Sequence, residues 1–156
     1  MELTGEKTLI QPCAAVWQAL NDPDILVQCV PGCETFKRIN EHTFEVTLSA
    51  SVGPIKARFL GQLSLSDIQP PNSYTLTFSG SGGAAGMGKG TASVTLVPQD
   101  TSTVLTYKVK AVVGGKLAQV GSRLIDSVAA KMANEFFTRL IEVLPTNTET
   151  AHRESV

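Results

Sequence analysis

Residues 114–144 read GGKLAQVGSRLIDSVAAKMANEFFTRLIEVL, one long amphipathic helix that follows directly on a run of alternating strands. Leu117, Val120, Leu124, Val128, Met132, Phe136 and Leu140 recur at steps of three or four, which places them on one face of a 3.6-residue helix. Lys116, Arg123, Asp126, Lys131, Glu135, Arg139 and Glu142 fill the other face, and the four-residue steps from Lys131 to Glu135 to Arg139 allow weak attraction between opposite charges. At 1.5 Å per residue a helix of about 28 residues is roughly 42 Å long, enough to cross a small sheet from edge to edge. A helix that is apolar along one side only must lie on that sheet.

Upstream, residues 3–10 read as a strand. Pro12 then opens a short helix carrying Val16, Trp17 and Leu20. Asp22-Pro23 opens a second, with Asp at the cap and Pro at the first helical position, and Pro31-Gly32 ends it. The period then becomes two. Phe44, Val46, Leu48 and Ala50 alternate with polar residues, as do Ile55, Ala57, Phe59, Gly61, Leu63 and Leu65 after the Gly53-Pro54 turn. Tyr74, Leu76 and Phe78, then Ala92, Val94 and Leu96, then Leu105, Tyr107, Val109, Ala111 and Val113 continue the pattern. The order predicts an α+β helix-grip fold: about seven antiparallel strands curved around the long helix, with two short helices after the first strand. Residues 1–144 are expected to form one domain. Residues 145–156, polar and without apolar periodicity, are expected to be a disordered tail.

A curved sheet around one helix does not fill its interior completely, so the space between them is the natural binding site. Strand alternation and helix phase direct Phe44, Phe59, Leu63, Leu76, Phe78, Val94, Val109, Leu117, Val120, Gly121, Leu124 and Val128 inward, and these are the candidate cavity residues. The only titratable groups in the inner rows are Tyr74 and Tyr107, too few for general acid-base catalysis, and no catalytic residue is assigned. Trp17 is read as core.

Composition narrows the choices. A net charge of −1 with 17% charged residues supplies no basic stripe for nucleic acid or an anionic membrane surface. The N-terminus, MELTGEKTLI, lacks the basic start and apolar run of a signal peptide, so a cytoplasmic location is expected. Cys13, Cys29 and Cys33 are odd in number and, with only His42 and His152 for company, make no convincing metal site; they read as small buried hydrophobes.

Two segments depart from plain architecture. Residues 80–90, GSGGAAGMGKG, hold six glycines but continue into a strand rather than a helix, so a phosphate loop is not indicated; they read as a bulged hairpin, or a lip over the cavity with Met87 near its tip. Gly121 falls within the long helix on its apolar side, where the missing side chain would serve close packing or leave room for a ligand.

Three blocks, LNDP through CVPGCE at residues 20–34, the glycine hairpin, and GGKLAQVGSRLIDSVAAKMANEFF at 114–137, resemble the carbon monoxide dehydrogenase CoxG family of the START-like (SRPBCC) superfamily. The resemblance covers about residues 1–144 and implies the same helix-grip fold. It also implies a setting: such proteins accompany molybdenum hydroxylases of the carbon monoxide dehydrogenase type in maturation, membrane recruitment or electron delivery to quinone. Members thought to tether a partner to the membrane carry a longer C-terminal extension with an apolar or basic end. Residues 146–156 have neither, so no anchor is carried over, and only a peripheral position at the inner face of the cell membrane is entertained. The expected function is that of a non-catalytic accessory protein holding a hydrophobic small molecule, a quinone or lipid, with no other cofactor. The alternatives are a cyclase, dehydratase or hydrolase of the same superfamily and a ligand-free protein adaptor.

Overall fold

The structure is a computed structural model, and it describes residues 1–144; the tail expected at 145–156 lies outside the described residues. Strands β1 (Glu2–Leu9), β2 (Cys33–Asn40), β3 (Thr43–Val52), β4 (Ile55–Gln69), β5 (Ser73–Ser81), β6 (Met87–Gln99) and β7 (Ser102–Gly114) form one sheet in the order β1-β7-β6-β5-β4-β3-β2. Every pairing is antiparallel. Helices α1 (Cys13–Leu20) and α2 (Pro23–Cys29) bridge from β1 at one edge to β2 at the other. The α+β helix-grip expectation holds in strand number, direction and order.

Register follows the hydrophobic pattern, because a one-residue slip would turn every inward side chain to solvent. Opposite residues therefore build cross-strand rows on the concave face. One row runs Phe44, Leu63, Phe78, Gly90, Ala111, and another Tyr74, Val94, Tyr107, Gly5. Between β3 and β7 a row of three glycines, Gly61, Gly80 and Gly88, lies between Val46 and Val113. Without side chains to crowd the inside of the bend, the sheet can coil around a helix there.

The local signals act as read at both short helices. The Asp22 carboxylate accepts from the Asp24 backbone N–H at 3.0 Å, and Pro23 occupies the first turn of α2. Arg38 fastens the turn between these helices to the sheet, donating to the Asn21 and Glu41 carbonyls at 2.7 and 2.8 Å and lying 4.7 Å over the Phe44 ring.

The long helix requires a correction. It is two helices, α3 (Lys116–Gln119) and α4 (Ser122–Val143), and Gly121 is outside both with φ +98° and ψ 150°. Only glycine adopts that backbone without strain. Gly121 is exposed, and a Cβ there would meet nothing within 4 Å, so neither close packing nor ligand room explains it; the chain needs the conformation to turn α3 into α4. On the polar face the Lys131, Glu135 and Arg139 spacing produces no ion pair among the described residues, in keeping with the small worth of exposed pairs.

Burial is uneven along α4. Phe137, Leu140 and Leu144 at its C-terminal end pack with Leu9, Val16, Leu96 and Leu105 into a fully closed core. A second cluster, Leu26, Phe36, Phe44 and Val46, adjoins it through Phe136. Toward the N-terminal end Leu124, Val128 and Met132 are only half-buried, facing Phe59 and Phe78 on strands that are themselves half-buried on that face. The molecule is sealed at one end and loosely closed at the other.

Candidate ligand cavity

An apolar cavity of about 250 Å³ lies between the concave face and α4. The sheet contributes Leu3, Phe36, Phe44, Leu63, Leu65, Tyr74, Leu76, Val94, Leu105, Tyr107 and Val109; α1 and α2 with the residue after them contribute Leu20, Leu26 and Val30; α4 contributes Ala133, Phe136 and Phe137. Ala133 is the small residue on the inward face of α4, and its short side chain leaves the space that Phe136 and Phe137 enclose on either side.

The cavity's shape depends on rings lying flat over glycines of adjoining strands. Tyr107 covers Gly5, where a Cβ would collide with the phenol. Phe59 lies beneath Gly82, whose Cβ would come 2.6 Å from the ring edge, and Phe78 covers Gly90 at 2.8 Å by the same measure. A ring held flat on the sheet fills less of the space above it than one standing upright. Tyr107 is also stacked on Phe137, centroids 5.2 Å apart at 23°, which connects the sheet to α4 across the cavity.

Among the lining side chains only the phenols of Tyr74 and Tyr107 are polar. They sit on one cross-strand row with Val94 between them. Tyr74 is 7% exposed, and Trp17 meets it edge-to-face at 5.4 Å and 86°. Burial pushes its phenol well above the ordinary tyrosine range, so it stays a protonated donor. Burial likewise pushes the Cys29 thiol up, against a smaller opposing effect of Arg139, which makes that thiol a poor nucleophile.

Of the residues expected inside, Phe44, Leu63, Leu76, Val94 and Val109 line this cavity. Phe59, Phe78, Leu117, Val120, Gly121, Leu124 and Val128 do not. Phe59 and Phe78 cover glycines, Leu117 is buried under α3, the Leu124 side chain abuts Gly53 in the β3–β4 turn, and Gly121 is the exposed linker. The contributions of α1 and α2 were not read from the sequence, because periodicity shows which face of a short helix is apolar and not which end of a sheet it closes.

Two other hollows differ in kind. One of about 610 Å³ on the convex face is more than twice as large, but outward-facing polar residues such as Gln62, Ser64, Lys89 and Lys110 line it and it opens to solvent, so it offers an apolar ligand no enclosure. The other, about 470 Å³, lies where the β3–β4 turn, the 3-10 turn Gly83–Ala85 and α3 meet, and Lys56, Arg58 and Lys116 converge on it. Arg58 is held by Glu34 at 2.7 Å, while Lys56 and Lys116 have no ion-pair partner among the described residues.

Residues 5–144 match the carbon monoxide dehydrogenase family CoxG. The chain belongs to the CoxG family. Its fold is shared by a conserved protein from Geobacillus kaustophilus, 31% identical, with a TM-score of 0.87 over 92% of this chain and 95% of that one. A START superfamily protein from Mycobacterium smegmatis superposes with a TM-score of 0.70 at 10% identity, over 92% of this chain and 96% of the other. The Zhui aromatase/cyclase from Streptomyces sp. R1128 does so with 0.66 at 12% identity, over 91% and 92%. Among proteins of curated function none matches. At those low identities the last two structures establish the START-like helix-grip architecture of this CoxG-family chain and nothing about its chemistry. No helix among the described residues is long and apolar enough to cross a membrane.

Proposed function

We propose that this CoxG-family protein is a non-catalytic accessory protein of a molybdenum hydroxylase of the carbon monoxide dehydrogenase type, and that it holds a quinone or lipid in the cavity between sheet and α4. The observation that carries the reading is the cavity itself: about 250 Å³ bounded by apolar side chains, in a core otherwise packed closely enough to leave Leu9, Val16 and Leu140 without exposure. A space of that size is near the small end of ligand pockets and suits a ring or a short stretch of chain, with the remainder extending toward the loosely closed end. Enclosing some 300 Å² of apolar ligand at about 25 cal/mol per Å² gives a gross gain of roughly 7 kcal/mol, before association costs are subtracted. The family description supports the enzyme partner. The absence of any titratable lining group other than two phenols supports a carrier rather than a cyclase or hydrolase.

Exchange of ligand would take place in the cytoplasm at the inner face of the membrane. The hollow formed by Lys56, Arg58 and Lys116 lies at the loosely closed end, next to the glycine hairpin and α3, and anionic headgroups are its natural counter-charge. A net charge near zero hides this local excess.

Native mass spectrometry of protein purified without detergent, with organic extraction of whatever is released and with quinones added back, tests the reading. Stoichiometric quinone or lipid is the expected result. Protein that is empty as isolated and takes up no added quinone would point instead to a ligand-free adaptor.

A further inference from the structure

Tyr74 combines three properties that do not belong together in a purely structural residue. It is 7% exposed, it borders the cavity, and its hydroxyl makes no hydrogen bond among the described residues. A buried hydroxyl that has lost most of its water and gained no partner is costly, and folded proteins rarely leave one so unless something else satisfies it. Phenylalanine would fill the same space in an apolar wall without that cost. Tyr107, two strands away on the same row, differs: it is half-buried and its ring is fixed between Gly5 and Phe137.

We infer that Tyr74 is the specificity-determining residue of the cavity, its hydroxyl donating a hydrogen bond to a carbonyl oxygen on an otherwise apolar ligand. The inference rests on the reading of the cavity as a ligand site and adds what that site recognises. It takes a carbonyl-bearing ring or chain, a quinone, ketone or ester, in preference to a hydrocarbon of the same shape. A phenol raised by burial remains a donor across the physiological range, and it has no acceptor role that would favour an alcohol or amine. The carbonyl end of the ligand would lie beside Trp17 near the sealed end, and the apolar remainder would point toward the half-buried Phe59 and Val128.

The test uses the full chain and a matched pair of probes, 2-methyl-1,4-naphthoquinone and 2-methylnaphthalene, measured by isothermal titration calorimetry on wild type, Tyr74→Phe and Tyr107→Phe. Wild type is expected to prefer the quinone. Tyr74→Phe should weaken quinone binding about five- to tenfold, the worth of one hydrogen bond, while leaving naphthalene binding unchanged. The melting temperature of the ligand-free Tyr74→Phe protein should be unchanged or higher, because the oxygen removed had no partner. The assignment is overturned if Tyr74→Phe weakens both probes equally, if Tyr107→Phe alone removes the preference, or if ligand-free Tyr74→Phe melts several degrees lower, which would reveal a structural partner for the hydroxyl. If wild type binds neither probe, the cavity is not a ligand site and the proposed function fails with it; binding of both without preference overturns only the role of Tyr74.

Discussion

Gly5 shows how a single absent side chain shapes the binding site. It stands opposite Tyr107 in the β1–β7 pairing, and a Cβ on it would occupy the place of the phenol ring. An alanine there must push Tyr107 off the sheet, toward the cavity and against Phe137, with which it is stacked. Overpacking of this kind destabilises by roughly 1–3 kcal/mol, so Gly5→Ala should lower the midpoint of urea unfolding with little change in slope. The clash lies in one side chain, so Tyr107→Val should remove most of it. The double variant is expected to be more stable than the sum of the single effects by at least about 0.5 kcal/mol. Strict additivity would show that the ring does not press on Gly5. None of this could be read from alternation, which places Gly5 and Tyr107 on the same face but says nothing of a ring lying across the neighbouring strand.

At the scale of elements, the break at Gly121 decides how the C-terminal segment is placed. The apolar residues of 116–143 keep their period through the break, so the sequence reads as one helix; a single glycine with φ +98° divides it in two. Gly121→Ala is therefore expected to be harmful where space is plentiful. Nothing lies within 4 Å of its Cβ, yet forcing an L-residue into that backbone region costs about 1–3 kcal/mol. Thermal denaturation followed by circular dichroism would show this as a melting temperature lower by roughly 3–10 °C with the helical signal at low temperature retained. A variant with higher stability and more helix would mean that the continuous helix is the preferred state. The strands, their order and their inward rows were legible because period-two alternation and Gly/Pro turns act locally. The same holds for α2, where the Asp22 cap and Pro23 set the start. The cavity was legible only in part. Phe44, Leu63, Leu76, Val94 and Val109 follow from strand phase, whereas the side chains from α1 and α2 enter through the packing of distant segments, and the inward turn of Ala133, Phe136 and Phe137 depends on where α4 begins its rotation after Gly121.

For the whole molecule, the gradient from a sealed end to a loose one separates stability from function. The residues with no exposure, Leu9, Val16, Cys29 and Leu140, belong to β1, α1, α2 and the end of α4, and they hold the structure together whether or not the cavity is filled. The cavity lies toward the inside of that gradient, bounded on the helix side by Ala133. An empty apolar space forfeits dispersion contacts, so filling it from within should stabilise the ligand-free protein. Ala133→Leu adds three carbons to a space of about 250 Å³, which accommodates them without forcing Phe136 or Phe137 to move. Unfolding stability is expected to stay level or rise by about 1–2 kcal/mol, since added burial of roughly 0.8 kcal/mol per methylene is offset by lost rotamer freedom. Uptake of 2-methyl-1,4-naphthoquinone should at the same time fall at least tenfold, because the leucine occupies the volume a ligand ring would take. The two readouts must move in opposite directions for the cavity to be a site maintained at some cost to stability. If Ala133→Leu instead weakened the fold and left uptake intact, the space would be a packing defect, and the ligand would have to bind nearer the loose end, between Phe59, Phe78 and the first turns of α4.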